Sequence, residues 1–155
     1  MRLTTFTDYC LRVLMYVGTK DGKLATVDEI ATSYGISRNH LMKVVFRLGQ
    51  LGYLANLRGK GGGMRLAMKP EEINLGRLIR QTEDDMRIVE CFQSSGEGCR
   101  IVSACVLRKA LGEALNAFLS VLDGYTLADL LAPRLRLARL LALSPPKAPP
   151  RRRAS

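Results

Sequence analysis

Apolar residues recur at helical spacing near the start of the chain. The repeating residues are Phe6, Cys10, Val13, Leu14 and Val17, with Tyr9 at the edge of their stripe. This spacing predicts an α-helix over residues 5–19, and Thr5 with Asp8 resembles a capping box at its start. Leu11 and Met15 form a second apolar face around Asp8. We therefore expect this helix to contact another subunit as well as its own core.

Two further helical patterns follow, and a single glycine separates them. Thr26 and Glu29 form a capping box for the second helix, and Gly35 ends it. Ser37 caps the third helix. The predicted buried positions of that helix are Leu41, Val44, Val45, Leu48 and Leu51. Two helices joined by a tight glycine turn predict a helix-turn-helix motif.

The third helix carries hydrogen-bonding side chains on the face opposite its apolar stripe. Asn39, Lys43 and Gln50 lie on this face, as a helix that reads the major groove requires. Phe46 lies among them, and the pattern leaves open whether it contacts bases or belongs to the core. The candidate DNA contacts of this helix are Arg38, Asn39, His40, Lys43, Arg47 and Gln50.

Two short strands, over residues 53–57 and 64–67, are predicted next, and the glycine-rich segment 58–63 connects them. A hairpin directly after a helix-turn-helix motif is typical of a wing. Its glycines allow close approach to another backbone, and its basic side chains can contact phosphate or the minor groove. Those side chains are Arg58, Lys60 and Arg65.

The second half of the chain is also helical in pattern. A short helix is expected after Pro70, and a long one from Cys105 to about Leu122. The apolar positions of the long helix are Leu107, Ala110, Leu111, Ala114, Leu115, Phe118, Val121 and Leu122. This stripe is wider than the small preceding domain can bury, so we expect it to pair with a second copy of the chain. Thr126 and Asp129 frame a further helical turn.

These elements predict a mostly α-helical protein with four parts. A winged helix-turn-helix domain occupies residues 1–82, and a loop with three cysteines occupies 83–105. A dimerisation helix with a short following helix occupies 105–131. Residues 132–155 form a basic tail rich in Pro and Arg, for which we expect no fixed structure.

Charge is distributed unevenly along the 155 residues, whose net charge is +10. Residues 1–70 carry a net +7, residues 71–125 a net −3, and the remainder +6. A basic head joined to an acidic middle predicts a polyanion partner. The first residues contain no apolar core of a secretory signal, and no stretch approaches the about 18 apolar residues of a membrane span. We expect a cytoplasmic protein with reduced thiols.

Cys91, Cys99 and Cys105 lie in one segment, with seven and then five residues between them. Three thiols cannot all pair as disulfides, but they can hold an iron–sulfur cluster or a zinc ion. Three cysteines instead of four argue against a ferredoxin, and no acid–base constellation supports an enzyme. Cys10 fits a buried core position.

The segment ISRNHLMKVVFRLGQLGYLANLRGKGGGMRLA at residues 36–67, together with the three cysteines, resembles the NsrR/IscR-type winged-helix iron–sulfur regulators of bacteria. The opening MRLTTFTDYCLRVLMYV and the segment NLGRLIRQTE are similar too. Within that family the chain looks most like the nitric-oxide-sensing NsrR branch. The IscR branch has a His three residues after its third cysteine, where this chain has Arg108.

The resemblance implies a homodimeric repressor that binds a palindromic, A·T-rich operator in double-stranded DNA. It implies a 4Fe–4S cluster, with 2Fe–2S as the alternative, held by Cys91, Cys99, Cys105 and Asp8 of the partner subunit. Nitric oxide would act on that cluster as the signal. Two other interpretations remain open from the residues: Asp8 as a simple helix-start carboxylate, and a zinc-stabilised or thiol-redox-responsive DNA-binding protein without a cluster.

Overall fold

The computed structural model describes residues 2–59, 61–92 and 99–143, and these form a mostly helical protein with one small sheet. The helices and strands in chain order are α1 Thr5–Thr19, α2 Val27–Tyr34, α3 Arg38–Gln50, β1 Leu54–Leu57, β2 Gly63–Leu66, α4 Leu75–Thr82, α5 Val106–Asp123, α6 Leu127–Leu131 and α7 Arg134–Leu140. Short 3₁₀ turns occupy Pro70–Glu72, Glu90–Phe92 and Val102–Ala104.

Helix α1 runs through the centre of the winged helix-turn-helix domain of residues 1–82, which we call the head. It has the predicted bounds. Its N-cap is Thr4, whose side chain accepts a hydrogen bond from the backbone N–H of Thr7 at 3.2 Å. The predicted capping box with Thr5 is therefore wrong, because the chain becomes helical one residue earlier. The predicted core positions from Cys10 to Val17 are buried, and Tyr16, which the stripe did not include, is buried with them.

Helices α2 and α3 form the predicted helix-turn-helix. Thr26 and Glu29 make the capping box, and Ser37 caps α3. Gly35 ends α2 with a φ of 64°, a left-handed conformation that glycine adopts without the steric cost of a Cβ. The predicted core residues of α3 are buried, except that Leu51 is only partly buried.

The wing is an antiparallel hairpin in which Leu54 pairs with Leu66. The observed strands lie within one residue of the predicted bounds. Met64 also pairs with Ala25, through backbone N···O distances of 2.7 and 2.9 Å. A Cβ on Gly63 would lie 2.7 Å from the carbonyl oxygen of Ala25. The predicted close approach of a wing glycine to another backbone is confirmed at this position.

Helix α5 lies against the head on one side only. An isolated bridge between Asn74 and Thr126 fixes the chain after it, and the guanidinium of Arg80 donates to both carboxylate oxygens of Asp123 at 2.6 and 2.7 Å. The hydrogen bonds from Arg80 lower the pKa of Asp123. No residue of α5 is fully buried.

The chain beyond Pro133 does not begin as the unstructured tail that we expected from residue 132. It forms α7, and Leu141 after α7 is buried in the core of the head. The hydroxyl of Ser33 donates to the carbonyl of Leu141 at 3.0 Å, and Arg134 pairs with Asp21 at 2.8 Å. Leu141 finds a surface on the head, which a local composition rich in Arg did not reveal. The rest of the predicted tail, residues 144–155, lies outside the described residues.

Candidate DNA interface and candidate metal centre

The outward face of α3 is made of exposed side chains. Asn39, Lys43, Phe46 and Gln50 are all exposed, and at about 100° per residue they share one face opposite Leu48. Phe46 is 65% exposed, which excludes the core position that the sequence left open. Three hydrogen-bonding side chains around one aromatic ring make a surface suited to base edges.

The other three candidates on α3 lie on its flanks. Arg38 pairs with Asp28 of α2 at 2.6 Å. The His40 ring lies 6.2 Å from the Tyr9 ring, and Arg47 donates to the carbonyl of Gln81 at 3.4 Å. These side chains remain exposed, but each has a contact within the protein that DNA binding would have to share or replace.

Two of the three basic wing residues belong to the described structure. Arg58 is exposed directly after β1, and Arg65 is exposed on β2 opposite Ala55. Lys60 lies outside the described residues. The wing therefore offers two guanidinium groups whose charge is available for phosphate contacts.

The three cysteines lie in two short described stretches on either side of residues 93–98. Cys91 and Cys105 are half-buried and Cys99 is exposed, and all four cysteines of the chain are free thiols. Cys105 is the N-cap of α5, and its sulfur accepts the backbone N–H of Arg108 at 3.4 Å.

Arg108 joins the two ends of the cysteine segment. Its Nε donates to the carbonyl of Cys91 at 3.2 Å, while its backbone N–H reaches Cys105. A cavity of about 850 Å³ opens beside these residues, lined among others by Phe92, Cys105 and Arg108. Arg108 thus holds the two ends of the segment together by hydrogen bonds.

Asp8 is engaged by a neighbour on its own helix. Arg12 pairs with Asp8 at 2.8 Å, and the Arg12 guanidinium lies 5.7 Å from the centre of the Tyr34 ring. Burial raises the pKa of Tyr34, and the charge of Arg12 partly offsets that effect. Asp8 is thus connected, through Arg12, to the last residue of α2, immediately before the turn into α3.

The first turn of α1 is also bound to the end of α4, which leads into the cysteine segment. Glu83 accepts hydrogen bonds from the backbone N–H and the hydroxyl of Thr4 at 2.8 and 2.9 Å. The buried hydroxyl of Thr7 donates to Thr82 at 2.9 Å. These bonds fix the start of the cysteine segment relative to the helix that carries Asp8.

The donor set fits an iron–sulfur cluster in its chemistry, because thiolates are the usual ligands of such clusters. Within the described part of one chain, no three ligating side chains gather closely enough to hold a metal ion. Cys10 is remote from this role, since burial raises its pKa to about 12 and thiolates are the form that binds metals.

The profile of a known family, described as Rrf2, iron-dependent transcriptional regulator, matches residues 3–133. The chain belongs to the Rrf2 family. It is 51% identical to the HTH-type transcriptional regulator NsrR of Bacillus subtilis over 92% of this chain and 99% of that protein. It is 49% identical to NsrR of Geobacillus kaustophilus, over 91% and 97% of the two chains.

Solved structures of Rrf2 regulators share the fold. The global cysteine regulator CymR of B. subtilis has a TM-score of 0.71 at 26% identity, over 86% of this chain and 98% of that one. IscR of T. potens has a TM-score of 0.69 at 23% identity, over 86% and 88%. The predicted winged-helix fold is confirmed. Family and relatives are transcriptional regulators and not enzymes, so this Rrf2 protein is a DNA-binding regulator of transcription.

Sequence reasoning did not find two contacts at the candidate metal centre. The Asp8–Arg12 pair has the i,i+4 spacing of helix ion pairs, so a signal was present. The role of Arg108 was also missed, although its place three residues after a helix-capping Cys105 puts its N–H near the sulfur.

No helix among the described residues is long and apolar enough to cross a membrane.

Proposed function

We propose that this Rrf2 protein is a homodimeric, cytoplasmic repressor that binds a palindromic, A·T-rich operator. Its affinity for the operator falls when nitric oxide reacts with its iron–sulfur cluster. The observation that carries the proposal is the three-cysteine segment, whose two ends Arg108 joins and whose first residue, Glu83, is hydrogen-bonded to Thr4 at the start of α1. Identity of 51% to a regulator called NsrR supports it.

The proposed cluster ligands are Cys91, Cys99 and Cys105 of one subunit and Asp8 of the partner subunit. A 4Fe–4S cluster is the proposed form, and 2Fe–2S is the alternative. A carboxylate is a harder and more exchangeable ligand than thiolate. The cluster, when bound, supplies the iron atoms with which nitric oxide reacts.

The proposed DNA contacts divide by their chemistry. Asn39, Lys43 and Gln50 read base edges from the exposed face of α3. Arg38, at the start of α3, supports this reading. The side chains that position the protein on the phosphates are His40, Arg47, Arg58, Lys60 and Arg65.

The coupling between cluster and DNA follows from the contacts of Asp8. In the single chain, Arg12 neutralises Asp8 and lies over Tyr34 at the end of α2. If Asp8 held the cluster of the other subunit, Arg12 would lack this partner beside the turn of the helix-turn-helix. A coupling of about 3–5 kcal/mol between cluster state and DNA affinity would switch operator occupancy fully.

Anaerobic purification tests the proposal. We expect a brown protein that contains iron and sulfide, forms a dimer, and selects specific duplexes from a random pool. Nitric oxide should abolish both the iron–sulfur absorption and tight binding to those duplexes. Zinc in place of iron would favour the zinc-stabilised alternative. Equal affinity of cluster-loaded and cluster-free protein would refute the sensing mechanism.

Variants of two carboxylates test the role of Asp8. Asp8→Asn should accelerate loss of the cluster while leaving the thermal unfolding of the protein nearly unchanged. Asp21→Asn is the matched control, because Asp21 also belongs to an exposed ion pair, with Arg134, at the other end of α1. Equal cluster lifetimes in both variants would remove Asp8 from the ligand set.

A further inference from the structure

The exposed face of α3, which we call the reading face, has an apolar centre that hydrogen bonding to bases does not explain. Phe46 is 65% exposed and Met42, one helical turn before it, is 51% exposed. Asn39, Lys43 and Gln50 surround the Phe46 ring on the same face. An exposed aromatic ring beside a basic side chain has no function in the packing of this head.

The contacts of the head exclude a structural role for the ring. The core of α3 is formed by Leu41, Val44, Val45 and Leu48, on the opposite face. Phe46 does not belong to the core cluster or to the partly buried residues packed against it, and it makes none of the aromatic pairs found among the described residues. Its position is therefore open to an external partner.

The surrounding charge indicates which partner. The head is strongly basic, with a net +7 over residues 1–70, and Lys43 lies on the same face as Phe46. A second protein bound here would have to supply hydrogen-bond partners for the polar side chains around Phe46. The major groove already offers acceptors and donors for them. The major groove also offers one apolar group, the C5-methyl of thymine, which Phe can contact.

We propose that Phe46 is a specificity-determining residue that reads a thymine methyl group in the major groove of each half-site. This inference rests on the proposed DNA-binding function and adds a base preference to it. Asn39, Lys43 and Gln50 fix the helix on neighbouring base edges, and the ring of Phe46 then covers the methyl group. Met42 lies close enough along the helix to widen the apolar contact, but Phe46 is at the centre of the face.

The test replaces thymine by deoxyuridine, which removes only the C5-methyl group. The cluster-loaded dimer is used under anaerobic conditions to select duplexes from a random pool. Binding is then measured to a selected palindrome and to versions with deoxyuridine at each symmetric pair of thymines. Burial of one methyl group corresponds to about a four-fold change in affinity, so we expect one pair to weaken binding about ten-fold or more.

The Phe46→Ala variant should bind the thymine duplex about as weakly as the wild type binds the deoxyuridine duplex, and should no longer distinguish the two. Its salt dependence should be unchanged, because the lost contact is not to phosphate. Phe46→Leu should retain part of the discrimination. Leu135→Ala is the control, since Leu135 is 75% exposed but lies on α7, away from the reading helix.

Three results would overturn the inference, and they differ in meaning. Retained discrimination at undiminished affinity in Phe46→Ala would assign the methyl contact to another residue. An equal loss of affinity for thymine and deoxyuridine duplexes, or dissociation of the dimer, would assign Phe46 a different role. Failure of the wild type to select any duplex would overturn the proposed DNA-binding function itself. Thermal unfolding of each variant shows that the fold is intact, as expected for an exposed side chain.

Discussion

The head differs from helix α5, which we call the arm, in how its apolar residues are buried. In the head, Leu14, Leu41, Leu48 and Leu78 are completely buried within a single chain. In α5, one apolar side is half-buried against the head and another is left exposed. The exposed side consists of Val106, Leu107, Ala110, Ala114, Ala117 and Val121.

This difference indicates that the head is complete in one chain while the arm is not. A helix with apolar residues on two sides needs two partners, and the head supplies only one. The proposed metal centre would also need the second subunit, because its fourth ligand would be Asp8 of the partner subunit. We therefore expect the arm to depend on the second subunit, as the proposed cluster would, and the head to be independent of it.

The largest expected effect comes from a charge on the exposed side of α5. Ala114→Glu would place an unpaired carboxylate in the interface between subunits. Because burying such a charge costs several kcal/mol, the dimer dissociation constant should rise about 1000-fold. Ser120→Glu is the control, since Ser120 is exposed on the polar side of the same helix. Sedimentation velocity measures both, and an unchanged dimer in Ala114→Glu would place the interface elsewhere.

A cavity in the head should act differently from one in the arm. Leu48→Ala should lower the free energy of unfolding by about 2–5 kcal/mol at any protein concentration, because Leu48 is fully buried in one chain. Leu107→Ala should destabilise the protein only where the dimer is populated, so its effect should depend on concentration. Urea unfolding at several concentrations distinguishes them. Concentration-independent loss in Leu107→Ala would contradict the comparison.

The contact between α1 and α4 is expected to contribute less. Thr7→Val and Thr82→Val remove a buried hydrogen bond at the border between the head and the cysteine segment. Each should cost about 1 kcal/mol, and the double variant should cost less than the sum of the two. A double-mutant cycle by urea unfolding gives the coupling, and strictly additive losses would mean that this bond does not connect the two helices energetically.

The smallest expected effect concerns a single wing charge. Arg65→Ala should reduce the slope of log affinity against log salt concentration by about one, with a uniform loss across sequences. Arg77→Ala, an exposed arginine on α4, is the control. Fluorescence anisotropy at several salt concentrations gives the slopes. An equal change in both variants would remove the wing from the DNA interface.

Local sequence signals predicted the head well because capping residues and a glycine mark where its helices begin and end. Thr26 with Glu29, Gly35 and Ser37 mark the helix ends directly, and each acts as predicted. The capping residue of α1 was misplaced by one position, since Thr4 and Thr5 are chemically alike and the bond from Thr4 to Glu83, far along the chain, has no local signal.

Long-range contacts account for what the sequence did not reveal. Helix α7 depends on the surface between α1 and α2, where Leu141 and Arg134 find their partners. Arg108 contacts Cys91, which precedes it by 17 residues in the chain. Neither contact has a periodic pattern, so neither could be inferred before the fold was known.

The most direct test of a cluster shared between subunits is the iron content of a mixed dimer. One subunit would carry Asp8→Asn, and the other would carry Cys91→Ser together with Cys105→Ser. The three cysteines of the first and Asp8 of the second then form one complete site. Different affinity tags allow the mixed dimer to be purified anaerobically, away from the two parent dimers.

We predict that the mixed dimer holds one stable cluster, half the iron of the wild type. We also predict that the Asp8→Asn dimer loses its clusters rapidly and that the double-serine dimer holds none. A mixed dimer whose cluster is as unstable as that of the Asp8→Asn dimer would show that all ligands come from the same subunit. That result would contradict the proposed link between the cluster and the partner's head.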